Sequence, residues 1–200
     1  MLKIQAANSA RTFNKPARLL REAWDQRLLR RGDTALEIGA GCLRNARWLL
    51  DRGARVDVLE EADVVRKYSA RYADFQKKGG QVFAGTWPSR RYHAVVCTFV
   101  LGVITPRLAR LRLLEKIRDR MRPKGVVLLS ARGMGDVKTK TRKGRRWRDG
   151  FITPIGTFVK PFRRSELLRM AESVGLVPCG EVRPFRSNSG IIDLILVKRR

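Results

Sequence analysis

Short apolar runs of strand length alternate along this chain with stretches whose apolar residues recur every three or four positions. No other feature restricts the fold as tightly. TALEIG, RVDVLE, QVFAG, YHAVVCTFVLGVI and PKGVVLLSA read as five strands in that order. Around them, helical spacing marks PARLLREAWDQRLL, RNARWLLDRG, EADVVRKYSARYADFQKKGG and PRLARLRLLEKIRDRM. The third of these carries Val64, Val65, Tyr68, Tyr72 and Phe75 on one face and is expected to be a single helix closed by a Gly pair. The strand containing Val95 passes into a loop or short helix near Gly102. Residues 132–161 show no clear period, RRSELLRMAESVGL is a further helix, and VPCGEVRPF and GIIDLILVK are two closing strands joined by the polar turn RSNSG. Such an order predicts an α/β fold: a doubly wound, mostly parallel seven-stranded sheet ending in an antiparallel strand pair.

At 200 residues the chain is expected to form one domain, with an N-terminal loop and helix over 1–31 and a basic loop or lid inserted at 132–161. No window holds eighteen consecutive apolar residues and no secretory signal opens the chain, so a cytoplasmic protein with no membrane partner is expected. The stretch 1–21, basic and free of acids, also fits an organellar transit peptide. Cys42, Cys97 and Cys179 have no metal-ligand spacing and are odd in number, which points to reduced thiols and no metal.

Two glycines break the first apolar run at EIGAG. In a doubly wound sheet, ligands bind at the carboxyl ends of strands where the strand order reverses, and the first strand-to-helix turn lies there. Gly39 and Gly41 let the backbone approach a ligand or take positive φ. A dinucleotide fingerprint would need a small third residue, yet that position is Arg44, and Glu37 is awkward beside a diphosphate. A ligand with a ribose and a cationic end fits these residues better.

LEIGAG, with Glu37, Gly39, Ala40 and Gly41, resembles the first motif of the class I S-adenosylmethionine-dependent methyltransferases, including uncharacterised bacterial members. The commonest form of that motif has a further glycine where this chain has Leu43. MRPKGVVLLSARG is similar to the family's turn into strand five, and the terminal strand pair to its closing hairpin. The resemblance implies the Rossmann-like methyltransferase fold, S-adenosylmethionine as cofactor, and an acid at the end of the second strand that accepts the ribose hydroxyls. Glu60, 21 residues after Gly39, is assigned that role, with Glu61 as the near alternative. Where the family often places an acid against adenine, this chain reads GTWP, leaving Thr86 and Trp87, and Thr98 and Phe99 follow the fourth strand in the same pocket. SARTFNKPAR precedes the first helix, as in some bacterial members, which would let Arg11, Thr12 and Lys15 close over the methionine end.

The acceptor is less legible. The chain holds 44 Lys and Arg against 18 Asp and Glu, a net charge of +26, which favours a polyanionic partner such as nucleic acid. Arg outnumbers Lys by 32 to 12 throughout, as compositional bias alone would produce. KTKTRKGRRWR, from Lys138 to Arg148, concentrates seven bases in eleven positions and reads either as a nucleic-acid contact or as a solvated loop. No base-methylation motif follows the fourth strand. Cys97 reads as a buried structural thiol, and His93 as a structural histidine at the strand end away from the ligand. No catalytic residue is assigned, because an activated methyl needs mainly an aligned nucleophile. In the lid, Phe151, Thr153, Thr157 and Phe158 either line an acceptor cavity or anchor the loop. The sequence therefore predicts a methyltransferase acting on nucleic acid or a small molecule. The competing reading is a non-catalytic nucleic-acid-binding protein on the same scaffold.

Overall fold

The computed structural model of the chain describes residues 15–140, 144–180 and 190–199. Helix α1 (Arg18–Asp25) leads into β1 (Thr34–Ile38), α2 (Arg44–Leu50), β2 (Arg55–Glu60), α3 (Ala62–Lys67), α4 (Ser69–Lys77) and β3 (Gln81–Ala84). The second half starts with β4 (Tyr92–Thr98), a 3-10 turn (Leu101–Val103), α5 (Arg107–Asp119) and β5 (Met121–Arg132). A lid follows, made of α6 (Met134–Lys140), β6 (Arg145–Trp147), β7 (Gly150–Ile152) and β8 (Phe158–Val159), and the chain closes with α7 (Arg164–Ser173), β9 (Leu176–Pro178) and β10 (Ile191–Lys198).

Seven strands form one sheet in the order β3-β2-β1-β4-β5-β10-β9. Strands β1 to β5 pair in parallel, while β10 runs antiparallel to both β5 and β9. The order reverses between β1 and β4, which is where a doubly wound sheet opens its ligand crevice. Apolar residues alternate across the sheet into two cores. Leu36, Val95, Val127 and Leu194 face α5 and α7 through Leu114, Ile117 and Leu167. Ala35, Val58, Val96 and Leu128 face α1, α2 and α4 through Leu20, Leu49 and Phe75. Both faces of β1 are therefore covered and all five of its residues are buried, as expected of a central parallel strand.

Two elements differ from the sequence expectation. The helix expected over EADVVRKYSARYADFQKKGG is two helices, broken at Tyr68, whose backbone (φ −116°, ψ 31°) leaves the helical region. The break rotates α4 so that Tyr72 and Phe75 are buried. Residues 132–161 are not irregular: they hold α6 and a three-stranded antiparallel sheet in the order β6-β7-β8. Strands of two or three residues are too short for a period to show in sequence. The turn RSNSG between the closing strands lies, apart from Gly190, outside the described residues. No helix among the described residues is long and apolar enough to cross a membrane.

Candidate active site

The glycine loop follows β1 at the switch point. Gly39 (φ +66°) and Gly41 (φ +54°) both take the left-handed region. At Gly39 a Cβ would also come within 2.5 Å of Val100 Cγ2, so both conformation and space require glycine. Between them Ala40 is buried against the α1/α2 core and its carbonyl accepts the Leu43 amide at 2.9 Å. Leu43 itself has φ +65° and is fully buried. The place where family members often have glycine thus keeps the glycine-like backbone, its cost offset by burial of the leucine side chain.

Glu60, the last residue of β2, turns its carboxylate onto this loop. Oε2 accepts the Gly41 amide at 2.7 Å and Oε1 the Glu61 amide at 2.9 Å. Burial pushes its pKa up, opposed by those two amides. Glu61 is exposed, at the start of α3. Of the two acids, only Glu60 is brought to the glycine loop. Tyr72 on α4 completes the support, its hydroxyl donating to the Gly41 carbonyl at 2.9 Å. Sequence reasoning placed Tyr72 only on an apolar helix face.

Glu37 lies beneath the loop, 1% exposed. Asn45 Nδ2 donates to its Oε1 at 2.7 Å, and Oε2 has no hydrogen-bond partner among the described residues. Burial raises its pKa to about 7, against the lowering effects of Asn45, the Ala46 amide and Arg44. Asn45 also accepts the Ala17 amide at 2.8 Å through Oδ1 and lies 3.4 Å from Thr98 Oγ1. One buried amide side chain therefore ties together the loop acid, the end of β4 and the entrance to α1. Its neighbour Arg44 reaches the Lys15 carbonyl at 3.5 Å. Arg11 and Thr12 lie outside the described residues.

At the carboxyl end of β4, Phe99 adopts φ +65°, a costly conformation for an aromatic residue. It is held by a 2.8 Å hydrogen bond from its amide to the Ser130 carbonyl, and the Arg132 guanidinium lies 4.6 Å from the centre of its ring. Register sets Thr98, Ser130 and Asp193 side by side across β4, β5 and β10. Ser130 donates to Asp193 Oδ1 at 2.6 Å, and Arg18 of α1 lies 3.7 Å from Oδ2. This polar row fixes α1 over the sheet end, and periodicity alone did not reveal it. Beyond β3, Thr86 is exposed, whereas Trp87 packs into the α5/α7 core with Lys116 5.5 Å from its ring centre.

The lid is clasped to the body by a charge cluster built on two buried cations, Arg110 and Lys160. Arg110 of α5 is fully buried: Nε donates to the Ile104 carbonyl at 2.7 Å, Nη2 to the Thr105 carbonyl at 2.9 Å, and both Nη atoms to the Asp149 carboxylate. Arg110 holds the Asp149 pKa below its ordinary value. Lys160, 7% exposed, pairs with Glu166 of α7 at 2.9 Å and stands 3.7 Å from Asp149. Backbone bonds add to the clasp, from Lys160 N to the Gly102 carbonyl and from Phe162 N to the Arg132 carbonyl, both at 2.8 Å. Of the two readings of the lid's aromatic and hydroxyl residues, anchoring describes most of them. Phe158 is buried edge-on against Trp147, and the Thr153 and Thr157 hydroxyls bond each other at 2.7 Å across the β7–β8 turn.

Cys97 is fully buried and burial pushes its thiol up to about 12, so it is no nucleophile near neutrality. His93 is the second residue of β4. At that amino-terminal end of the strand its Nδ1 faces the Thr34 amide at 3.0 Å, away from the glycine loop.

A family model described as a methyltransferase domain matches residues 9–178. No curated protein sequence matches the chain. Among solved structures, the methyltransferase CcbJ from Streptomyces caelestis is similar with a TM-score of 0.69 and 18% identity, covering 98% of this chain and 97% of that one. The 1,6-didemethyltoxoflavin-N1-methyltransferase of Burkholderia thailandensis, solved with 1,6-didemethyltoxoflavin and S-adenosylhomocysteine, gives 0.68 at 16% identity over 98% and 79%. The glycopeptide N-methyltransferase MtfA, complexed with S-adenosylmethionine, gives 0.62 at 16% identity over 90% and 87%. With the glycine loop, the acid at the end of β2 and a family match spanning most of its length, the chain belongs to the methyltransferase-domain family and is a class I S-adenosylmethionine-dependent methyltransferase.

Proposed function

We propose that the chain transfers a methyl group to a nucleophile of a nucleic acid brought to the carboxyl ends of β4 and β5, beside the lid. The cofactor assignment is carried by one observation: a buried carboxylate, Glu60, folded onto the amide of Gly41. Each oxygen of Glu60 accepts one amide and retains a second lone pair, so the two ribose hydroxyls fit the remaining capacity. Gly39, Ala40 and Gly41 allow close backbone approach. Oε2 of Glu37, without a hydrogen-bond partner among the described residues, suits the cationic methionine end, and Thr98 and Phe99 stand beside this loop at the carboxyl end of β4. When bound, S-adenosylmethionine supplies a methyl already activated on a sulfonium. The protein's part is then to hold cofactor and nucleophile in line and exclude water, which can account for much of the rate.

The nucleic-acid acceptor rests on the +26 charge, which raises the local concentration of any polyanion at the surface. A small-molecule acceptor is the second reading, favoured by a lid clasped on both α5 and α7 and by the small acceptor named for the Burkholderia enzyme. The test is incubation with tritium-methyl S-adenosylmethionine and, separately, RNA, DNA and a protein-free extract of metabolites. Label in polynucleotide supports the proposal. Label confined to the metabolite fraction overturns it in favour of the second reading.

A further inference from the structure

We propose that the outer edge of the lid, strand β6 and the turn that follows it, is a docking strip for single-stranded nucleic acid. Phosphates pair with Arg145, Arg146 and Arg148, and a base stacks on the Trp147–Arg148 pair. The inference rests on the nucleic-acid reading above and adds the surface and the strand state that it uses.

The charge balance of the segment is the first support. Between residues 137 and 165 the only acid is Asp149. Its carboxylate, though 41% exposed, is gripped by fully buried Arg110 and approached by Lys160. The segment's own acid is thereby already engaged by two cations, Arg110 and Lys160. Arg145, Arg146 and Arg148 are exposed, and none of them forms an ion pair with a carboxylate among the described residues.

The turn geometry is the second. Trp147 pairs with Gly150, so Arg148 and Asp149 alone make the turn. Asp149 points to Arg110, while Arg148 (φ +50°) is exposed with its guanidinium 4.6 Å from the centre of the Trp147 ring. Trp147 is in turn held edge-on to Phe158, at 5.6 Å and 77°. The result is a fixed indole carrying a guanidinium, a surface on which a base of any sequence can stack. Strand β6 is an edge strand, and charge there also discourages sheet-to-sheet pairing. Edge protection needs one such residue, and it does not call for a tryptophan clamped at the turn.

Position is the third. Strand β8 of the same small sheet leads into the backbone bond between Lys160 and Gly102, in the turn after β4, so the sheet that carries the strip on its far edge is anchored beside the end of the crevice where methyl transfer is expected. A single strand is specified because a base inside a duplex cannot reach such a crevice without leaving its stack.

The test uses the full chain and fluorescence anisotropy with labelled oligonucleotides of about 12 nucleotides, as single-stranded RNA, single-stranded DNA and duplex, across a salt series. For the triple variant Arg145→Gln, Arg146→Gln, Arg148→Gln, the slope of log affinity against log salt is expected to fall by about two. Trp147→Leu is expected to weaken binding roughly tenfold with little change in slope. Unaltered calorimetric binding of S-adenosylmethionine by each variant verifies its fold. A control triple, Arg27→Gln, Arg30→Gln, Arg31→Gln, at the other end of the sheet, is expected to change binding much less. Preference for RNA or DNA identifies the source of the strand, either result supporting the strip. Tight wild-type binding that the β6 variant leaves intact, an equal loss in the control, or a preference for duplex overturns the strip while leaving the nucleic-acid reading standing. No binding of any oligonucleotide by the wild type overturns both.

Discussion

Glu37 and Arg110 are both buried charges, yet the protein treats them in opposite ways. Arg110 has every nitrogen engaged, by two carbonyls and a carboxylate. Glu37 has one oxygen bonded to Asn45 and the other without a partner among the described residues. A fully satisfied charge is a fastener: it costs desolvation once and then fixes geometry. A half-satisfied one keeps an unmet demand that a ligand cation can fill, and such demands mark sites better than burial alone does. The clasp and the cofactor loop are separable on this view, and their variants should fail in different assays.

The largest expected effect is on the cofactor side. Glu60→Ala removes the ribose acceptor and frees the Gly41 amide. Two hydrogen bonds to a charged group imply a loss of about 3 kcal/mol or more, over a hundredfold in affinity, read by calorimetry with S-adenosylmethionine. Normal affinity would dissolve the assignment. Of comparable size but opposite in kind, Arg110→Met should cost about 3 kcal/mol in denaturant unfolding, because Asp149 and two carbonyls lose their donor. Cofactor affinity should change little. A variant that lost cofactor affinity without losing stability would erase the distinction between the two charges.

Glu37 sharpens the comparison through pH. Its pKa is raised in the fold from 4.5 to about 7, so its contribution to stability is fully present below pH 4.5 and is lost as pH rises through about 7. Relative to the wild type, Glu37→Gln should gain on the order of 3 kcal/mol above pH 7 and nothing at pH 4, in paired unfolding curves. Cofactor affinity in the wild type should climb with pH up to about 7, as a carboxylate forms to meet the cation, and the glutamine variant should show a flat profile. A sloping profile in that variant would transfer the titration to another group. The smallest effect expected is for Tyr72→Phe, which deletes one hydrogen bond to the Gly41 carbonyl: about 1 kcal/mol, or up to tenfold in affinity.

Several features were legible in the sequence for identifiable reasons. Strand and helix periods survive wherever an element is long enough to repeat them, as in β4, β5 and α5. EIGAG stood out because glycines at a strand end reflect a backbone conformation that neighbours do not alter. Separation along the chain could rank Glu60 and Glu61 only as near equals, since a one-residue shift reverses which face of a strand an acid occupies. The chain turns Glu60 inward because it ends β2 on the loop side, while Glu61, the exposed residue that follows, stands at the N-cap of α3.

Local sequence determined the alternation, the glycine loop, the excess of positive charge and the family these identify. Tertiary structure decided what depends on residues distant in the chain meeting in space. It joined Asn45 to Glu37, Thr98 and Ala17, broke the helix at Tyr68 so that Tyr72 reached Gly41, and closed Arg110 on Asp149, 39 positions away. Side-chain hydrogen bonds and buried ion pairs have no period and no fixed spacing, so they become visible only once the backbone has been folded around them.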